Sequence, residues 1–360
     1  MSKDRVRIGC DPEIFLSDSK GKIIPVTGMV GGNKASTVPL LALIHSGLTD
    51  TTATHYKKIF KSPEFGVLED GPCIEFNVPS VCEWDRFGHN VTNVIGLIES
   101  WANHKGLKLE LGTSEAEFSE ETFEKNSILK DIGCSPDFDA YGDCHSRKPI
   151  THADLGTRRF SGGHIHLGYN TEMVPPYIMA KFMDLILGLP LVILGEKQGG
   201  RRAVYGQAGL YRPKPYGVEY RTPSNLWVKH ITTNTVMCLT SSILTLGRLA
   251  ETSVPMLKAV CAPGAIPWAE VRRAINNEDR NLAIDVFGYV LKQFPDLMNG
   301  AAGAVKGYAP IWDKEYKADK SPLKKKPFGD EYYHAIDQNF MPALELAQVQ
   351  IGPAPRAPRR

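Results

Sequence analysis

The chain has 360 residues, 42 Lys and Arg against 40 Asp and Glu, a formal net charge of +2, and 42% hydrophobic residues. That is enough for one large or two ordinary domains with a sizeable core, and a charge this close to neutral argues against bulk nucleic-acid binding. The seven cysteines (Cys10, Cys73, Cys82, Cys134, Cys144, Cys238 and Cys261) form no Cys-x-x-Cys pair, which fits reduced thiols in a cytosolic compartment rather than a disulfide scaffold or a zinc ribbon.

The N-terminus lacks a signal-peptide core. Residues 5–17 read as a strand in which Asp11 and Glu13 share one face, followed by a turn at 18–21 and a second strand at 22–26. The Gly-rich loop 28–34 ends in Gly-Gly-Asn-Lys; Lys34 and its backbone N–H groups could flank a phosphate, or the loop could be plain surface. Residues 48–66 are polar and turn-rich. In the next strand, 72–78, Glu75 and Asn77 oppose Ile74, Phe76 and Val78. Phe87, Val91, Val94, Ile95, Ile98 and Trp101 recur at helical spacing, which predicts an amphipathic helix over 85–104 covering the apolar face of a sheet. A short strand is expected at 107–111. The stretch 133–160 is loop-rich; Asp137 and Asp139 could be ligands, but Ser-Pro-Asp is foremost a turn signal.

Residues 161–169, Ser-Gly-Gly-His-Ile-His-Leu-Gly-Tyr, put His164 and His166 on one strand face with Gly162 and Gly168. One or two short helices broken at Pro190 are expected over 176–197. The most apolar stretch, 185–194, is too short to span a bilayer, so no membrane is expected. Residues 217–222 form a strand with Glu219 and Arg221 on one face, and Val236, Leu239, Ile243, Leu246 and Leu249 predict a helix over 229–250. Further helices are expected near 267–277, 279–293 and 329–350, and the Pro-rich basic end, 351–360, reads as a disordered tail.

Four strands thus carry ionisable or amide groups on one face and apolar groups on the other. They could be half-exposed strands of an antiparallel sheet. The polar positions, however, hold carboxylates, imidazoles and an arginine rather than Lys or Thr, the inventory of a cation-plus-phosphate site. The glycines beside them leave room for a ligand against the backbone.

The same segments, in order, resemble a known family. Gly9-Cys10-Asp11-Pro12-Glu13-Ile14-Phe15, Gly71-Pro72-Cys73-Ile74-Glu75-Phe76, Ser161-Gly162-Gly163-His164-Ile165-His166 and Val218-Glu219-Tyr220-Arg221 are similar to the metal-carboxylate, His-x-His and late Glu-x-Arg strands of the glutamine synthetase superfamily. Gly133-Cys134-Ser135-Pro136-Asp137, Tyr205 to Arg212 and Glu219 to Trp227 resemble the phage-type carboxylate-amine ligases, or amidoligases, of that superfamily. The resemblance implies an α+β fold: a curved antiparallel sheet with helices on its convex face. The expected organisation is a ligase domain over 1–255, a helical C-terminal extension over 256–350 packed on it, and the tail.

It also implies an ATP- and Mg²⁺-dependent ligase (Mn²⁺ being an alternative ion) that joins a carboxylate to an amine through an acyl phosphate. Asp11, Glu13, Glu75, His164 and Glu219 would hold the ions, with Glu69 or Asp70 a further carboxylate beside Glu75. Arg221, Arg212 and His166 would act on the phosphoryl group, and Arg202, Arg201, Lys34 and Asn225 would contact the nucleotide. The carboxylate and amine substrates could be small molecules, peptides or a protein tail. A homo-oligomer is possible, no specific nucleic acid is expected, and the location would be cytoplasmic, in the host if the chain is phage-encoded. The competing readings are a metal-dependent hydrolase built on His164, His166 and the carboxylates, and a non-enzymatic metal-containing virion or binding protein.

Overall fold

Strand β1, Arg7–Ser17, organises the molecule. Its alternation buries Ile8, Cys10, Ile14 and Leu16 and leaves Asp11 and Glu13 half-buried on the other face. The remaining strands of this computed structural model are β2 (Ile23–Ile24), β3 (Val38–Pro39), β4 (Gly66–Asp70), β5 (Cys73–Asn77), β6 (Lys108–Glu110), β7 (Glu115–Glu117), β8 (Phe138–Asp139), β9 (Arg158–Phe160), β10 (Gly163–Gly168), β11 (Leu210–Lys214) and β12 (Gly217–Tyr220). The structure describes residues 6–33, 36–45, 50–60, 62–130, 137–142, 150–231 and 234–305.

Ten strands form one sheet, in the order β3-β4-β5-β1-β10-β12-β11-β8, with β2 and β6 also pairing with β1. Every pairing is antiparallel. β7 and β9 form a separate two-stranded ribbon. The fold is therefore α+β with a large antiparallel sheet.

Helices cover the apolar face. Trp84–His104 buries Phe87, Val91, Val94, Ile98 and Trp101 of the stripe its sequence spacing marks, with Leu97 in addition and Ile95 only partly buried, and packs on β1 together with Asn234–Thr252. The apolar run 176–193 behaves differently from expectation. It is one continuous helix, not pieces broken at Pro190. A π turn over Asp184–Gly188 comes first, in which Leu189 N–H bonds to Asp184 O five residues back. The ladder thus shifts just before Pro190, which has no N–H to offer. By length and composition Pro176–Ile193 could cross a membrane, but 78% of it is buried inside the protein, as a core helix would be. Helices Trp268–Asn276 and Arg280–Gln293 pack on its second half, so one hydrophobic cluster runs from Val6 to Val305.

Two further differences concern local signals. Residues 50–59 form a helix inside the stretch read as turn-rich. The room made by Gly162 and Gly163 is already used by the protein. A Cβ on Gly163 would lie 2.1 Å from Ser224 O and 2.5 Å from Trp227 Nε1, and one on Gly162 2.4 Å from His164 Nε2. These glycines admit the turn after β12 and the imidazole ring, not a ligand. The expected helix near 329–350, the basic tail and Lys34 lie outside the described residues.

Candidate active site

Register assembles the site. Residues directly opposite in an antiparallel pair project from the same face. Asp11 lies opposite His164, Glu13 opposite Glu75, and Glu219 opposite both His166 and Arg212. These strands are neighbours, so polar positions far apart in sequence form one patch. The patch is concave: a cavity of about 280 Å³ is lined by Asp11, Glu13, Asp70, Glu75, His164 and Glu219, by Arg212, Lys214 and Arg221, and by Thr37, Leu68 and Asn77.

The acidic lining falls into two groups. Asp11, His164 and Glu219 each offer a ligand atom within 4.8 Å of the others, and so do Glu13, Asp70 and Glu75. Asp70, not Glu69, is the carboxylate beside Glu75. Glu69 turns away and accepts the N–H groups of Gly28, Val30 and Gly31 at 2.9, 2.8 and 3.2 Å. Three backbone donors of the Gly-rich loop are therefore taken by a protein carboxylate.

Charges in the first group set one another's protonation. His164 Nδ1 lies 3.4 Å from Asp11 and 3.9 Å from Glu219. Burial first, and then the Arg221 guanidinium, push its pKa down to about 4, so the ring is neutral near pH 7 and can offer a lone pair. Burial works to raise the carboxyl of Glu219, but the Arg221 guanidinium above all, with His164 and Arg212, brings it down to about 2. Burial also works to raise the carboxyl of half-buried Asp11, yet His166 and His164 hold it well below the usual carboxylate range. Both carboxylates are ionised at neutral pH.

The cationic wall meets Glu219. Arg221 bonds Oε1, Arg212 reaches the same oxygen at 3.3 Å, and Lys214 Nζ lies 2.7 Å from Oε2. Arg221 NH1 is also 3.3 Å from His164 Nδ1. Lys214 was not legible as a site residue; its signal was the same-face spacing from Arg212 on β11. Asp137, read as a turn residue, is 6% exposed and forms ion pairs with Arg212 and Arg221.

Four expected site residues are placed differently. Arg201 is 1% exposed; its guanidinium bonds Gln198 Oε1 and the carbonyls of Arg221, at 3.0 Å, and Thr222, at 3.2 Å. Arg202 pairs with Glu196 at 2.9 Å and bonds Gly206 O. Neither lines the cavity, and both fix the backbone that carries Arg221. Asn225 is fully buried, donates to Glu13 O at 2.7 Å and accepts from Gly112 N–H at 3.1 Å. It ties the turn after β12 to β1 and is not part of the cavity lining. His166 stands beside the cavity lining, with Nε2 3.1 Å from Asp11 and Nδ1 bonded to the Tyr216 hydroxyl. Burial disfavours its charged form, but Asp11 outweighs that and raises its pKa. Its contact with the lining is through Asp11.

Comparison with known proteins adds a family. The sequence model of the phage phiEco32-like COOH.NH2 ligase-type 2 family matches residues 156–259, the stretch that carries β10, β11 and β12. This is the type of family that the strand motifs resemble. No curated protein matches the chain. Among solved structures, one described as apo GmaS without ligand aligns with a TM-score of 0.42 at 13% identity, over 89% of this chain and 71% of that one. A GmaS/ADP complex aligns with a TM-score of 0.43 at 13% identity, over 89% and 72%. A structure described as a novel glutamine synthase homolog aligns with a TM-score of 0.38 at 12% identity, over 96% and 71%.

Proposed function

We propose that this chain is an ATP- and Mg²⁺-dependent carboxylate-amine ligase that forms an amide through an acyl phosphate. The observation that carries the reading is the pairing, in one cavity, of two ligand groups with a wall of three cations. Five carboxylates and three cationic side chains line it, so the lining is net negative by two. Two divalent ions would reverse that to net positive by two, the sign a triphosphate requires.

The donor sets suit such ions. Glu13, Asp70 and Glu75 are all oxygen donors, as hard cations prefer, and Asp11 and Glu219 with neutral His164 form a mixed set that also accepts Mn²⁺. When bound, the cations supply charge neutralisation and polarisation of the phosphoryl oxygens. The chain's own residues do the rest. Arg221, Arg212 and Lys214 present fixed positive charge to the group in transfer, and the planar guanidinium groups can each bind two oxygens. The buried contacts of Arg201 and Arg202 hold the Arg221–Thr222 carbonyls, so Arg221 is aimed before substrate arrives.

In the proposed reaction the substrate carboxylate takes the γ-phosphoryl group of ATP and ADP leaves. The amine nitrogen then bonds to the acyl carbon, inorganic phosphate leaves, and the nitrogen gives up a proton. The test is ADP release in Mg²⁺ from panels of carboxylates and amines. Strong release that needs one of each supports the ligase. Metal-dependent cleavage that ignores ATP would establish the hydrolase, and inertness toward both the binding protein.

A further inference from the structure

Asp137 has no task in the reaction as drawn, yet two guanidinium groups meet at it. Its Oδ1 lies 2.9 Å from Arg221 Nε and 3.2 Å from Arg212 Nε. The two arginines come from neighbouring strands, β11 and the end of β12, and the NH1 end of each reaches Glu219. Adjacent guanidinium groups repel. A carboxylate at one side of the pair offsets that repulsion and fixes the direction in which the other ends point.

Asp137 is itself held. Asp139 and Phe138 pair with Leu210 and Tyr211, and Ala140 N–H bonds Gly209 O at 3.0 Å. From the far side, helix Trp268–Asn276 supplies Arg272, whose guanidinium bonds Asp139 at 3.0 Å and lies 5.6 Å from the Tyr141 ring centroid. Trp268 packs edge-on against the same ring at 6.4 Å. This helix lies beyond residues 156–259, the part that matches the ligase family.

We propose that Asp137 is a positioning residue that sets Arg212 and Arg221 side by side for phosphoryl transfer, with helix Trp268–Asn276 bracing the strand that carries it. The inference rests on the ligase reading. Its test therefore combines kinetics with a measurement that needs no activity. Asp137→Asn keeps the shape and removes the charge; Asp137→Glu restores the charge on a longer arm. The Asn variant should lower kcat by about 10-fold or more with the KM for ATP within about threefold, and the Glu variant should recover part of the loss. In an Arg221→Lys background the same Asn change should cost less, because one of its two guanidinium targets is already gone. Side-chain NMR relaxation at Arg Nε should show Arg212 and Arg221 becoming mobile in Asp137→Asn while Arg272 stays rigid. Unchanged mobility of both arginines, or a full kinetic cost in the Lys background, overturns the proposal. If the wild-type chain releases no ADP with any substrate pair, the ligase reading fails instead, and the relaxation data still decide whether Asp137 holds the two guanidinium groups.

Discussion

Glu75→Gln separates a cation site from a structural carboxylate without needing a substrate. Glu13, Asp70 and Glu75 hold oxygens no more than 4.8 Å apart. At that separation two unit charges repel by about 1 kcal/mol in water and about 3.5 kcal/mol at an effective dielectric constant of 20. All three side chains are half-buried, so the lower part of that range applies. Removing one charge relieves two pairs, roughly 2 kcal/mol in all. Glutamine keeps the size and hydrogen-bonding capacity of the side chain. In EDTA the variant should melt at the wild-type temperature or up to about 4 °C higher. In Mg²⁺ the order should invert. At a hundredfold excess over its dissociation constant the ion at this group adds about 2.7 kcal/mol to wild type, and the variant loses that share while keeping what the Asp11, His164 and Glu219 group supplies. Calorimetry with and without EDTA reads both effects. A variant that is less stable in EDTA and keeps the full Mg²⁺ response would make Glu75 part of the scaffold and remove the second cation site.

Arg221→Lys retains charge but cannot reach Glu219, Asp137 and His164 together, so nucleotide affinity should hold within several-fold while turnover falls about 10²-fold; near-normal turnover with a lowered melting temperature would assign Arg221 to scaffolding. Asp184, buried against Tyr220 and Gly209, has its carboxyl raised by burial to about 7. The folded state therefore keeps a proton that the unfolded chain loses above its ordinary pKa of 3.8, and stability falls as pH rises through that window. Asp184→Asn abolishes the penalty, so its stability relative to wild type should improve by roughly 3 kcal/mol between pH 5 and pH 8 in denaturant titrations. A difference independent of pH would refute the buried proton.

Period-two alternation made the polar faces of β1, β5, β10 and β12 legible, because each strand carries ionisable or amide groups on one side and apolar groups on the other. It located Asp11, Glu13, Glu75, His164, Glu219 and Arg221, all of which line the cavity. Arg201, Arg202 and Asn225 were implied by the family resemblance and not by alternation, which reaches only residues on a strand; they satisfy buried carbonyls behind the sheet. Glu69 and Asp70 are adjacent and point to opposite faces, so the choice between them needed the register of β4 on β5. Asp137 was hidden by its own sequence, since Ser-Pro-Asp is a turn signal whatever the carboxylate later meets. The π turn before Pro190 illustrates a different limit: a proline marks a break in hydrogen bonding, which here is absorbed without ending the helix.

The reaction class can be followed atom by atom. Once a carboxylate and an amine that stimulate ADP release are in hand, the carboxylate is supplied with heavy oxygen and the products are analysed by mass spectrometry. Passage through an acyl phosphate predicts amide, ADP and inorganic phosphate in equal amounts, with one heavy oxygen carried from the carboxylate into each phosphate. Phosphate without the label, or amide formed while ATP remains intact, would contradict it.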